Sequence, residues 1–248
     1  MSNNPFSRTQ LLLGPEAMQR LRRARVVLFG VGGVGGHVAE VLARSGVGTI
    51  ALVDPDRVSL TNLNRQIVAL HSTLGRLKVD VMAERIADIN PQCRVEKYPL
   101  FYLPENADAV PLADFDYVVD CIDTVKAKLD ILRRCHRLGL PVISSMGAAN
   151  KLDPTAFRVA DIAQTSMDPL ARVLRKTLRR EGIEHFKVVY SEEPPQKPVI
   201  TDEDTQHEAD ELAANGRRAL PASCAFVPAA AGLVIGGEVV KDLALPPI

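Results

Sequence analysis

Hydrophobic positions along the chain change period in a regular order. Short runs that are apolar almost throughout, RVVLFG (25–30), TIALVD (49–54), YVVD (117–120) and PVISS (141–145), alternate with segments whose apolar residues recur every three or four positions. An unbroken apolar run reads as a strand buried on both faces, as in a parallel sheet, and the wider spacing reads as the one-sided stripe of a helix. Val34, Val38, Val41 and Leu42 form such a stripe after the first run, and SGVG (45–48) stops it. A second helix is predicted from about Leu74, with Leu77, Val81, Ile86 and Ile89 turned inward and Asn90-Pro91 as its end. CRVEKY (93–98) alternates like a strand, and a further helix is predicted after YVVD through Leu138. This order predicts an α/β fold: a doubly wound, Rossmann-like, mostly parallel sheet whose ligand lies at the strand carboxyl ends.

The second half has a different rhythm. FRVADI (157–162) and KVVYS (187–191) read as strands around a helix that begins with Asp168 as N-cap and Pro169 in its first turn. The proline- and acid-rich stretch 192–211 has little to bury and predicts a mobile loop. A helix resumes after Pro228. Its stretch FVPAAAGLVIGGEVV (226–240) is interrupted by glycines, contains Glu238, and is shorter than the roughly 20 residues a membrane span needs. It therefore reads as a buried helix, with no membrane role.

Composition narrows the classes of function. The 248 residues carry 30 Lys+Arg against 30 Asp+Glu, so no global field attracts nucleic acid, and such a contact needs a local patch. Arg172, Arg175, Lys176 and Arg179 recur at helical spacing opposite Leu170, Val173, Leu174 and Leu178, which makes them the candidate patch, though such a stripe also suits a solvated face. The four cysteines form no C-x-x-C pair, which argues against structural zinc and suits a reducing cytoplasm. Cys121 reads as a core residue of its strand, and nothing near Cys224 suggests a lowered thiol pKa. The polar start MSNNPFSRTQ lacks the apolar centre of a signal peptide.

The first strand ends in a G-x-G-x-x-G pattern, Gly30, Gly32 and Gly35, with Gly33 inside it. Glycines let a phosphate approach the backbone, and the N–H groups opening the next helix favour an anion. Asp54, at the end of the second strand, is placed to accept from a ribose. So far this describes a nicotinamide site equally well, or mere close packing of helix on strand. Asn62, Asn64, Arg65, Lys78, Asp120 and Asp123 follow at or near strand ends. A nicotinamide needs none of them, whereas a magnesium triphosphate needs arginine, lysine and a carboxylate.

Together these segments resemble a known family. GVGGVGG (30–36), VDPDRVSLTNLNRQ (53–66), the lysine of GRLKVD (75–80) and DCIDT (120–124) are similar to the adenylating superfamily that includes ubiquitin-activating enzymes and the molybdopterin- and thiamine-pathway adenylyltransferases. TNLNRQI, VMAERIADINPQCRV, SSMGAANKLDPT and ADIAQTSMDPLARVLRK most resemble its tRNA threonylcarbamoyladenosine dehydratase branch. The resemblance implies one adenylating domain over 1–248, with a nucleotide-binding half at 1–145 and a substrate and dimer half at 146–248. It implies ATP and Mg2+: Gly30, Gly32, Gly33 and Gly35 at the nucleotide, Asp54 on the ribose, Asn62, Arg65 and Lys78 on the phosphates, and Asp123 on the metal. FSRTQLLLG (6–14) resembles the family's arginine motif and implies that Arg8 serves the partner's site in a homodimer. The implied reaction is cyclising dehydration of threonylcarbamoyladenosine in tRNA through an acyl-adenylate, with a sulfur-transfer partner also admitted. Adenylation of a sulfur-carrier or ubiquitin-like C-terminus is the alternative.

Overall fold

The computed structural model of the chain describes residues 4–199 and 221–245. Seven strands form one sheet: β1 (Arg25–Phe29), β2 (Thr49–Val53), β3 (Arg94–Tyr98), β4 (Tyr117–Asp120), β5 (Val142–Ser145), β6 (Phe157–Asp161) and β7 (Lys187–Ser191). Their order is β3-β2-β1-β4-β5-β7-β6, and every neighbouring pair is parallel except β6 and β7. The apolar runs are the inner strands. Val26 and Leu28 of β1 point to one face and Val27 and Phe29 to the other, and all four are fully buried. That is why β1 reads as continuous, while the edge strand β3, half-exposed, alternates.

Helices cover both faces. One layer holds α2 (Pro15–Arg23), α3 (Gly35–Arg44), α4 (Lys78–Ile89) and α7 (Phe226–Ala244); the other holds α5 (Val125–Leu138) and α6 (Pro169–Arg179). A short α1 (Ser7–Leu13) precedes them and buries none of its residues. From β1 the chain winds outward through β2 and β3, then returns to β4 on the other side of β1. That reversal opens a crevice above β1 and β4, where ligands of such sheets bind.

Two boundaries and one buried face differ from the sequence reading. The helix expected from Leu74 begins at Lys78, because Gly75 turns at φ +79° and Leu77 is extended. Residues 75–78 bond instead to 56–58, through Gly75 N–H to Val58 O, Val58 N–H to Arg76 O and Lys78 N–H to Asp56 O, each at 2.9 Å. The last helix begins at Phe226, ahead of Pro228, which its first turn tolerates because the missing N–H has no partner there. Val173, expected on the apolar face of α6, is 47% exposed. The expected helix N-cap is found: Asp168 accepts Ala171 N–H at 2.8 Å.

Gly232 and Gly236 let α7 lie directly on α3. A Cβ at Gly232 would stand 2.4 Å from Val34 O, and one at Gly236 2.7 Å from Val41 Cβ. Among the described residues no helix is long and apolar enough to cross a membrane. Of the stretch expected to be mobile, residues 200–211 lie outside those described. Glu192 and Glu193, at its start, are tied down: Arg158 pairs with Glu192, and the Glu193 carboxylate accepts Leu152 N–H at 3.0 Å and Asp153 N–H at 2.9 Å.

Candidate active site

The crevice holds a cavity of about 810 Å³. Its floor is the turn after β1, where Gly30 adopts φ +87° and a Cβ would stand 2.8 Å from Cys121 O. Gly30, Gly32 and Gly33 line the cavity. Gly35 does not line it; a Cβ there would lie 1.8 Å from Gly30 O, so its task is to close the loop onto α3.

The end of β2 supplies Asp54, 95% buried at the cavity wall. Its Oδ2 accepts Val31 N–H at 2.6 Å and its Oδ1 accepts Asp56 N–H at 2.9 Å. One carboxylate thus ties the glycine loop to the segment after β2, with lone pairs left for hydroxyl donors. Burial pushes its pKa up, opposed by the nearby Lys78 and the two backbone donors. Lys78 opens α4, is buried, and donates to Asp56 Oδ2 at 2.8 Å. The 56–58/75–78 pairing brings it there.

Asn62 and Arg65 enter from the turn between β2 and α4. Asn62 is buried and its Oδ1 accepts Ser59 N–H at 3.2 Å. The Arg65 guanidinium donates to Thr61 O and Asn64 Oδ1, both at 2.9 Å. Asn64 in turn donates to Ser223 O at 3.1 Å, beside Pro221 and Ser223 on the rim.

The two acids after β4 take opposite positions. Asp123 is exposed at the cavity, within 3.5 Å of Thr124 Oγ1. Asp120 is fully enclosed and paired with Lys128 at 2.9 Å, which removes it as a metal ligand. Cys121, expected in the strand core, instead follows β4 directly and lines the cavity half-buried, and burial pushes its thiol pKa up. Cys224 Sγ lies 3.9 Å from Lys151 O.

At the far end Met146, Gly147 and Ala148 form the wall. Asp168 accepts Gly147 N–H at 3.1 Å, so the N-cap of α6 also holds the loop after β5. Asn150, at φ +60°, exchanges backbone and side-chain bonds with Ala222 at 2.8 Å and accepts Gln196 N–H at 2.6 Å. Lys151 is buried and donates to Glu193 O at 2.5 Å; burial lowers its pKa, while Asp168 and Glu193 raise it.

Arg8, on α1, is exposed and stands outside the cavity lining of its own chain. On α6, Arg172, Lys176 and Arg179 are exposed, whereas Arg175 is occupied in holding the turn before the helix through Thr165 O at 2.8 Å. Asp56, Lys128 and Asn150 were not singled out from the sequence. Lys128 carried a usable signal, a lysine set among Ala127, Ile131 and Cys135 on the buried side of α5.

The chain that builds this crevice is similar along nearly its whole length to known proteins. The tRNA threonylcarbamoyladenosine dehydratase of Bacillus subtilis is 48% identical over 241 residues, covering 96% of this chain and 94% of that one. The crystal structure of the E. coli tRNA N6-threonylcarbamoyladenosine dehydratase TcdA in complex with ATP superimposes with a TM-score of 0.83 at 35% identity, covering 96% of this chain and 93% of that chain. Its complex with AMP gives 0.84 at 34% identity with the same coverage. The ThiF family model matches residues 6–244, so the chain belongs to the ThiF family.

Proposed function

We propose that this chain catalyses the ATP-dependent dehydration of threonylcarbamoyladenosine in tRNA. The observation that carries the reading is the meeting of Asp54, Arg65, Lys78 and Asp123 on one cavity, in a chain similar to such dehydratases along nearly its whole length. The threonylcarbamoyl carboxylate attacks the α-phosphorus of ATP, forming an acyl–phosphate bond as the bond to pyrophosphate breaks. A heteroatom of the same side chain then attacks the acyl carbon and expels AMP. AMP carries away one oxygen of the original carboxylate, so the ring closes with net loss of water. The second attack is intramolecular, so it needs orientation and no protein nucleophile.

In this reading Asp54 accepts from the ribose while Asn62, Arg65 and Lys78 face the phosphates above Gly30, Gly32 and Gly33, with Gly35 serving only to close the loop onto α3. Lys78 is held by Asp56 beside the cavity and supplies positive charge where negative charge spreads over the leaving pyrophosphate. Asp123 suits magnesium. It is exposed at the cavity, and no group of three metal-binding side chains exists among the described residues, so one carboxylate would share the ion with phosphate oxygens and water, as is usual for this metal. When bound, magnesium would supply further charge neutralisation at the phosphates.

Residues 1–145 then serve the nucleotide and 146–248 the tRNA and the dimer. Arg172, Lys176 and Arg179 offer tRNA phosphates an exposed basic face beside the far wall. A homodimer is supported by α1, whose Leu11 and Leu12 are 87% and 83% exposed, and by Arg8, which is exposed and stands outside the cavity lining of its own chain. The cytoplasm, where such tRNA is found, is the expected location. Both steps balance without sulfur, so the reading requires no sulfur-transfer partner. Nucleoside mass analysis of modified tRNA after incubation with the protein, ATP and magnesium tests it: the threonylcarbamoyladenosine should lose one water as AMP and pyrophosphate appear. Pyrophosphate released only with a carrier protein ending in Gly-Gly would overturn it.

A further inference from the structure

Asn64 takes no part in either chemical step, yet its amide joins two sides of the cavity. Its Oδ1 accepts from Arg65 Nη1 at 2.9 Å, and its Nδ2 donates to Ser223 O at 3.1 Å, 159 residues along the chain. A carbonyl only accepts and a guanidinium only donates, so a single orientation of the amide serves both. Turned over, it would set its NH2 against the guanidinium and its oxygen against the Ser223 carbonyl. Ser223, on the cavity rim, therefore fixes which way Asn64 faces, and Asn64 in turn holds the arginine.

The rim is itself held by the loop after β5. Asn150 donates its backbone N–H to Ala222 O and accepts Ala222 N–H at its Oδ1, both at 2.8 Å. Further along, Pro228 Cβ and Arg65 Cγ lie 3.3 and 3.6 Å from a Cβ built on Gly33. A line of contacts thus runs from Asn150 through residues 222 and 223 to the arginine above the glycine loop. The bond from Arg65 to Thr61 O ties the guanidinium to its own turn, whereas the bond to Asn64 refers it to the rim.

The neutrality of the amide matters as well. An aspartate would hold the arginine more firmly, but its charge would cancel part of the positive charge offered to the phosphates. We infer that Asn64 is a positioning residue, which aims Arg65 at the nucleotide phosphates from a rim set by Asn150 and residues 222–223. The inference rests on the cavity being the ATP site with Arg65 on its phosphates.

Calorimetric titration of the full-length protein with ATP and adenosine tests this. Asn64→Leu keeps the shape and removes both bonds, so ATP should bind about 5- to 10-fold more weakly, the scale of one hydrogen bond. Asn64→Asp, which keeps the acceptor but loses the donor and adds charge, should do the same. Adenosine, which lacks phosphates, should bind both variants as it binds wild type, whereas a general disturbance of the cavity would weaken it too. Arg65→Ala should weaken ATP by itself, and adding Asn64→Leu to it should change nothing further, because Asn64 acts through the arginine. Asn150→Gly, which suits φ +60° and removes the Oδ1 acceptor, should weaken ATP without adding to Asn64→Leu. ATP affinity at the wild-type level in either Asn64 variant would overturn the inference. So would equal weakening by Asn64→Leu with and without Arg65, or additive effects of Asn150→Gly and Asn64→Leu. An Arg65→Ala protein that binds ATP as tightly as wild type would instead take Arg65 off the phosphates, and the role of Asn64 would go with it.

Discussion

Lys128 Nζ lies 2.9 Å from Asp120 Oδ2, and neither side chain reaches solvent. Lys128 also donates to Ser145 O at 2.8 Å and Ser144 Oγ at 3.3 Å, while Ser144 Oγ donates to Asp120 Oδ2 at 2.6 Å. The pair fastens β4 to β5 beneath the cavity. Removing only the cation strands a buried carboxylate. Lys128→Met should therefore cost about 3–5 kcal/mol, read as a lower urea midpoint. Adding Asp120→Asn should restore part of the loss, and a double variant less stable than the single one would contradict this account.

Asp123, three residues on, faces the cavity instead. Asp123→Asn keeps the size and removes the charge offered to magnesium, so turnover should fall by about 100-fold or more while ATP still binds in part. Single-turnover assays across a magnesium titration check this. Near-normal turnover would release Asp123 from the metal role, and Asp120 could not take it over, being enclosed with Lys128.

The exposed cations of α6 give a salt-dependence experiment. Arg172→Glu with Lys176→Glu should weaken tRNA binding and lower the slope of log affinity against log salt by roughly one per lost phosphate contact. Arg175 is unsuitable for this test, because it holds Thr165 and its loss would disturb the start of the helix. An unchanged slope would leave the stripe as a solvated face.

Arg8 can be tested by mixing. Arg8→Ala and Asp123→Ala proteins should each be inactive alone. Refolded together in equal amounts they should give about half heterodimers, each with one site that has both groups, and about a quarter of wild-type activity. Activity that stays absent while mass measurement shows heterodimers would place Arg8 in its own chain's site, and an active Arg8→Ala homodimer would place it outside the reaction.

His37 predicts a pH effect on stability. It is half-buried where α7 crosses α3, and burial lowers its pKa below 6.5, with Glu40 opposing and Arg85 adding to the shift. The unfolded chain then binds more protons than the folded one below about pH 6.5, so stability falls as pH drops through that window. Above it the residue is neutral in both states and contributes nothing. His37→Gln should flatten the Tm profile below pH 6.5 and leave Tm above it nearly unchanged.

The sheet was legible because parallel strands buried on both faces leave unbroken apolar runs, as in β1, β2 and β4. The glycine loop, Asp54 and Lys78 were legible because their chemistry is tied to strand and helix ends. What stayed hidden depends on contacts between distant segments. No local pattern announces that Arg57 pairs across from Leu77, which delays α4 to Lys78 and sets Asp56 against it. Nor does any mark Asn150 as the point where Gln196 and Ala222 meet. Helices α1 and α2 turn on Gly14 at φ +87°, between segments too short for their spacing to speak.

Pro228 packs on Gly33, and Gly232 and Gly236 receive α3 directly behind the glycine loop. A chain emerging from the ribosome makes the loop, Asp54, Lys78 and Asp123 long before these residues exist. Until α7 is made, the helix behind the glycine loop lacks its backing and leaves a long apolar surface bare. The helix that carries the glycine loop is therefore completed only when α7 has been made.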